Sequence, residues 1–119
     1  MNEYWGYHLQ LDAHDCDRAL MTDRQHVDTF TRDLVKRIDM KAYGDPHIVK
    51  FGTGNKEGFT MFQLIETSNI CAHMCDESGD IYLDVFSCKP FEQEVVEQCF
   101  YEYFKPQKFK TNFMTRQAG

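Results

Sequence analysis

Three runs of alternating side chains between Phe59 and Phe86 restrict the fold of this chain more than any other feature. In residues 59–66, Phe59, Met61, Gln63 and Ile65 share one side, and Thr60, Phe62, Leu64 and Glu66 the other. A period of two belongs to a β-strand. Both sides of this run are largely apolar, which predicts a central strand. Residues 69–75 alternate again, with Ile70, Ala72 and Met74 opposite Cys71, His73 and Cys75. After a turn built on Glu77, Ser78 and Gly79, residues 81–86 return as a further strand. The last two runs read as an antiparallel hairpin. Such a hairpin brings Cys88 back towards Ser68.

The remaining pattern supplies partners for that sheet. In residues 4–12, Tyr7, Leu9 and Leu11 alternate with His8, Gln10 and Asp12, as in a half-buried strand. A polar turn with Asp15, Cys16 and Asp17 follows. Thr22 and Gln25 have the spacing of a capping box. Val27, Phe30, Leu34 and Ile38 then recur at helical spacing, predicting a helix over 23–39 with Lys36 and Arg37 at its negative end. His47–Phe51 is a short strand candidate. The glycine-rich residues 52–58 lack a Walker A or dinucleotide pattern and read as a hairpin connection. Pro90 suits the first turn of a second helix. Phe91, Val95, Cys99 and Tyr103 form its stripe, extended by Phe100 and Phe104, and a last strand covers 108–114.

The expected architecture is a single domain over 1–119. It is an α+β two-layer sandwich, a mainly antiparallel sheet with two helices on one face. The opposite sheet face needs a cover, and a second subunit provides one, so a homodimer is expected.

Composition narrows the partners. The net charge is -6, from 13 Lys and Arg against 19 Asp and Glu, and no basic run is present. This argues against nucleic acid and favours a cationic or zwitterionic small molecule. No apolar run is long enough to span a bilayer. Five cysteines, an odd number without the spacing of a disulfide scaffold, point to a reducing cytoplasm. Cys71, His73 and Cys75 are soft ligands, but alternate residues of an extended strand spread too far to share one ion, so no metal is expected. Ser68, His73 and Cys88 offer a hydroxyl, an imidazole and a thiol, with Glu66 or Asp84 available to orient the base. Ser68 is not in a G-x-S-x-G elbow, so a hydrolase elbow is not indicated.

The chain resembles the short bacterial and archaeal S-adenosylmethionine decarboxylases, pyruvoyl enzymes of polyamine and spermidine biosynthesis. The likeness starts at G-Y-H-L-Q-L-D and the Cys16–Asp17 pair. It is strongest in G-F-T-M-F-Q-L-I-E-T-S-N-I-C-A-H and D-I-Y-L-D-V-F-S-C. Three spacings are kept together. Thr60 lies eight residues before Ser68, His73 five after it, and Cys88 fifteen after His73.

The resemblance implies self-cleavage between Thr67 and Ser68, leaving a pyruvoyl group derived from Ser68 as the cofactor. The substrate amine joins its keto group as a Schiff base before CO₂ is lost. Thr60 is implied in stabilising the oxyanion of cleavage, His73 in removing the Ser68 α-proton, and Cys88 in returning a proton to the substrate. Glu77 and Asp84 are candidates for the cationic or hydroxyl-bearing parts of the substrate, and Trp5 and Tyr7 for the adenine. Two other readings stay open here: a pyruvoyl-dependent decarboxylase of ornithine or arginine, and an uncleaved binding or regulatory homologue.

Overall fold

The computed structural model describes residues 4–119. Its six strands form one antiparallel sheet. In chain order they are β1 (Gly6–His14), β2 (His47–Phe51), β3 (Gly58–Ile65), β4 (Ser68–Cys75), β5 (Asp80–Ser87) and β6 (Lys108–Arg116). In space the order is β2-β3-β4-β5-β1-β6. The predicted hairpin is β4–β5, with Ser68 opposite Ser87 and Cys75 opposite Asp80. Its turn uses Gly79 at φ +78, a conformation that costs glycine little. Gly58 opens β3 where a side chain cannot fit, because a Cβ would lie 1.9 Å from the Met74 carbonyl oxygen.

Helices α2 (Arg24–Arg37) and α3 (Gln93–Phe104) cover one sheet face, giving the α+β sandwich. Val27, Phe30, Leu34 and Ile38 are all buried, as their spacing predicts. Phe30 meets Phe100 and Phe104 edge-on at 5.9 and 4.9 Å, joining the helices. Leu9, Leu11, Met61, Ile70, Leu83 and Val85 form the sheet's half of the core. Burial of this apolar layer is the main force holding the two layers together.

Local chemistry changes three of the sequence expectations. A short additional helix, α1 (Arg18–Met21), precedes α2. It arises because Asp17 caps it, accepting from the N–H groups of Ala19 and Leu20. The cap of α2 is Asp23, which accepts from Gln25 and His26, rather than a Thr22–Gln25 box. Thr22 instead ends α1 and donates its hydroxyl to the Arg18 carbonyl. Helix α3 starts after Pro90, at Gln93. Phe91, before the helix, meets Phe113 at 5.8 Å between ring centroids.

The second sheet face carries no helix. Val49, Phe51, Phe62, Leu64 and Tyr82 are exposed large side chains of β2 to β5. Phe62 and Leu64 of β3 are thus apolar yet open, and β3 is an interior strand, paired on one side with β2 and on the other with β4.

Candidate active site

The β3–β4 connection is a two-residue turn. Ile65 pairs with Ser68, leaving Glu66 and Thr67 as its tip. Glu66 N–H donates to the Lys41 carbonyl at 2.9 Å, and the Thr67 carbonyl accepts the Cys88 N–H at 3.0 Å. The latter bond extends the β4–β5 ladder one step past the Ser68–Ser87 pair. Ser68, Ser87 and Tyr7 thus lie side by side across three strands, with Cys88 beside Thr67. Tyr7 stacks on Phe113 at 6.4 Å between ring centroids.

His73 and Thr60 form a separate group. They are register partners, and Thr60 Oγ1 lies 3.4 Å from His73 Nδ1. His73 is five residues from Ser68 along β4, about 17 Å at strand rise. Ser68 pairs with the buried Ile65 and Ser87 on the helix side, whereas His73 is exposed on the open face. Within one chain the structure brings Ser68 and Cys88 together, and Thr60 and His73 together. It does not join the two pairs.

Asp84 lies on the open face of β5, opposite Cys71 and Gln10. His8 Nε2 lies 3.0 Å from Asp84 Oδ1, and Arg116 Nη1 lies 3.2 Å from His8 Nδ1. A guanidinium only donates. His8 Nδ1 therefore accepts, and the ring proton is on Nε2, donated to Asp84. Arg116 also lies over the Phe86 ring at 5.0 Å, with Trp5 5.8 Å from the same ring. Trp5, Phe86 and Arg116 line a cleft of about 370 Å³ one row from Ser68. Glu77 is at the far end of the hairpin, exposed in the Asp76–Gly79 turn, with its carbonyl held by Arg18.

Sequence reasoning did not single out His8, Phe86, Ser87 or Arg116. Ser87 and Phe86 precede Cys88 directly, so the chemistry of Cys88 was a signal for them. Arg116 reaches the site only through the β1–β6 pairing, more than a hundred residues along the chain.

Burial pushes the Cys71 thiol up, and the Asp84 carboxylate adds to the effect. Cys16 and Cys99 are pushed up to about 12, chiefly by burial. All five cysteines are free thiols. Among the described residues, no three His, Cys, Asp or Glu side chains gather as metal ligands. Among those residues, too, no helix is long and apolar enough to cross a membrane.

The chain is similar to known proteins over almost its whole length. It is 23% identical over 112 residues to an S-adenosylmethionine decarboxylase proenzyme of Archaeoglobus fulgidus, covering 93% of this chain and 96% of that one. Its fold matches the crystal structure of the adenosylmethionine decarboxylase from Aquifex aeolicus VF5 with a TM-score of 0.82, at 19% identity, covering 98% of this chain and 93% of that one. The family model described as S-adenosylmethionine decarboxylase matches residues 7–117. With that span matched, the chain belongs to the S-adenosylmethionine decarboxylase family, a family of lyases.

Proposed function

We propose that residues 1–119 act as one pyruvoyl-dependent S-adenosylmethionine decarboxylase domain of polyamine synthesis, self-cleaved between Thr67 and Ser68. The observation that carries this reading is the Cys88 N–H on the Thr67 carbonyl, 3.0 Å away, with the Ser68 hydroxyl next in sequence. Ser68 Oγ attacks the Thr67 carbonyl carbon. A C–O bond forms, the Thr67–Ser68 C–N bond breaks, and the hydroxyl proton ends on the Ser68 nitrogen. Negative charge develops on the oxygen that already accepts the Cys88 N–H. A base then takes the Ser68 α-proton, the Cβ–Oγ bond breaks, and Thr67 leaves as a carboxylate. Water replaces the resulting imine nitrogen, which departs as ammonia, and a pyruvoyl group heads the 68–119 chain.

Once formed, that group supplies an electron sink for the charge left by loss of CO₂. The Cys88 thiol, beside the same turn, is the proton donor to the substrate carbon. Asp84, held by His8, and the Trp5–Phe86–Arg116 cleft are candidate groups on the open face to bind the rest of the substrate. A reducing cytoplasm fits the five free thiols.

His73 lies about 17 Å along β4 from Ser68 in its own chain, so a role for it in cleavage calls for the His73 of a second copy. The exposed Val49, Phe51, Phe62, Leu64 and Tyr82 favour a second copy on the open sheet face. Ser68 and His73 lie on either side of the middle of β4. A denaturing intact-mass spectrum tests the proposal. Two chains split before Ser68, the second with a blocked pyruvoyl end, together with CO₂ release from S-adenosylmethionine, support it. One persistent intact chain overturns it.

A further inference from the structure

The Thr67 side chain is held as well as its carbonyl. Thr67 Oγ1 and Ser87 Oγ are 2.7 Å apart. Ser87 is fully buried, and its Oγ accepts the Lys89 N–H at 3.0 Å. Met40 Sδ lies 3.4 Å from Thr67 Oγ1 and 3.6 Å from Ser87 Oγ. Each hydroxyl has one proton to give. The arrangement that uses the shorter sulfur contact runs in one direction. Lys89 N–H donates to Ser87 Oγ, the Ser87 hydroxyl to Thr67 Oγ1, and the Thr67 hydroxyl to Met40 Sδ. Both hydroxyls then give and receive, and each bond polarises the next.

The geometry points to Ser87 as a positioning residue for cleavage of the Thr67–Ser68 bond, acting through the Thr67 hydroxyl. This rests on the self-cleavage reading above. Ser87 makes and breaks no covalent bond. Its role follows from where Thr67 sits, at the tip of a two-residue turn directly before Ser68. A β-branched side chain is stiff at χ1, so fixing Oγ1 also restrains the backbone that carries it. With Oγ1 tied to Ser87 and the carbonyl tied to Cys88, Thr67 is held both by its side chain and at the scissile peptide. The carbonyl carbon is then kept in one orientation for attack by the neighbouring Ser68 hydroxyl. Loss of one tether lets that peptide rotate away from the Cys88 N–H, and rate falls with the fraction of correctly aligned chains. One hydrogen bond of this kind corresponds to about tenfold in rate.

The test follows cleavage of freshly translated chains by intact mass, for wild type, T67V, T67S, S87A and the T67V/S87A double variant. Melting temperatures are measured for the same substitutions in an S68A background. T67V and S87A are expected to lengthen the cleavage half-time about tenfold each. The double variant should be no slower than either single one, and T67S, which keeps the hydroxyl without the β-branch, should fall between wild type and T67V. A lowered melting temperature with an unchanged half-time makes the pair merely structural and overturns the role. Losses that multiply in the double variant also overturn it. T67V keeps the side-chain volume, so the test survives if S87A does not fold. Wild type that never cleaves removes the self-cleavage reading and this role with it. Wild type that cleaves, with T67V just as fast, removes only the role of Ser87.

Discussion

The main-chain N–H of Cys88 donates a 3.0 Å hydrogen bond to the carbonyl oxygen of Thr67, the residue immediately before Ser68. This bond is an ordinary rung of an antiparallel ladder, continued one step past the last strand pair. It gives Cys88 two separable parts. Its N–H faces the carbonyl that the proposed self-cleavage would attack, and its thiol is left for the proposed proton transfer to the substrate.

Separate substitutions divide those parts. C88A keeps the N–H and removes the thiol. It is expected to cleave at close to the wild-type rate and to lose decarboxylation by about a hundredfold or more. C88P removes the N–H as well and should slow cleavage by about a hundredfold or more. Intact mass follows the cleavage, and release of CO₂ follows turnover. Equal cleavage of C88A and C88P would remove the N–H from the oxyanion role. Full turnover by C88A would remove the thiol from the acid role.

Ser68→Ala removes the attacking hydroxyl, so S68A should stay a single intact chain however long it is incubated. Its mass spectrum checks this. An S68A chain still split at the same bond would end the proposed route to the pyruvoyl group.

The separation of His73 from Ser68 makes a distinct prediction. H73A alone and S68A alone should each remain uncut. If the proposed dimer forms, co-expression of the two pairs the intact Ser68 of one chain with the intact His73 of the other, and the H73A chain should be cleaved. Mass spectrometry identifies which chain is cut, and light scattering measures the assembly. H73A chains that stay uncut in such mixed dimers would place the action of His73 within its own chain or remove it.

Alkaline pH should weaken the fold. Cys16 and Cys99 are pushed from 9.0 to about 12, mainly by burial. Their folded pKa values lie above the unfolded ones, so the unfolded chain ionises first as pH rises. The stability held by these neutral thiols is complete below pH 9 and declines as pH climbs towards 12. Urea midpoints measured with reductant between about pH 8 and 11 should fall, and C99A should flatten the fall. A level midpoint for wild type would contradict this.

Much of the fold was legible because it depends on short periods. Leu9 and Leu11, Met61 and Ile65, and Ile70 and Ala72 alternate into the core, as a pleated strand requires. The helical spacing of Val27, Phe30 and Leu34 was equally direct. Cap residues were harder to read. Asp17, Asp23 and Thr22 all carry capping oxygens within one short segment, and only the path of the backbone selects which of them meets free N–H groups. Helix α3 starts at Gln93, three residues after Pro90, and Phe91 before it meets the distant Phe113.

The sequence by itself determined the strand periods, the hairpin that returns Cys88 to Ser68, and the residue types needed for the chemistry. Tertiary structure decided which of those residues meet. Sequence spacing measures distance along one chain and cannot report pairings between strands far apart in order. Register set Thr60 against His73 on the open face and left both about 17 Å along the strand from Ser68. The β1–β6 pairing brought Arg116 to His8, and the ladder between β4 and β5 joined Thr67 to Ser87 and Cys88. An antiparallel sheet fixes such neighbours through hydrogen-bond register, which depends on every strand at once.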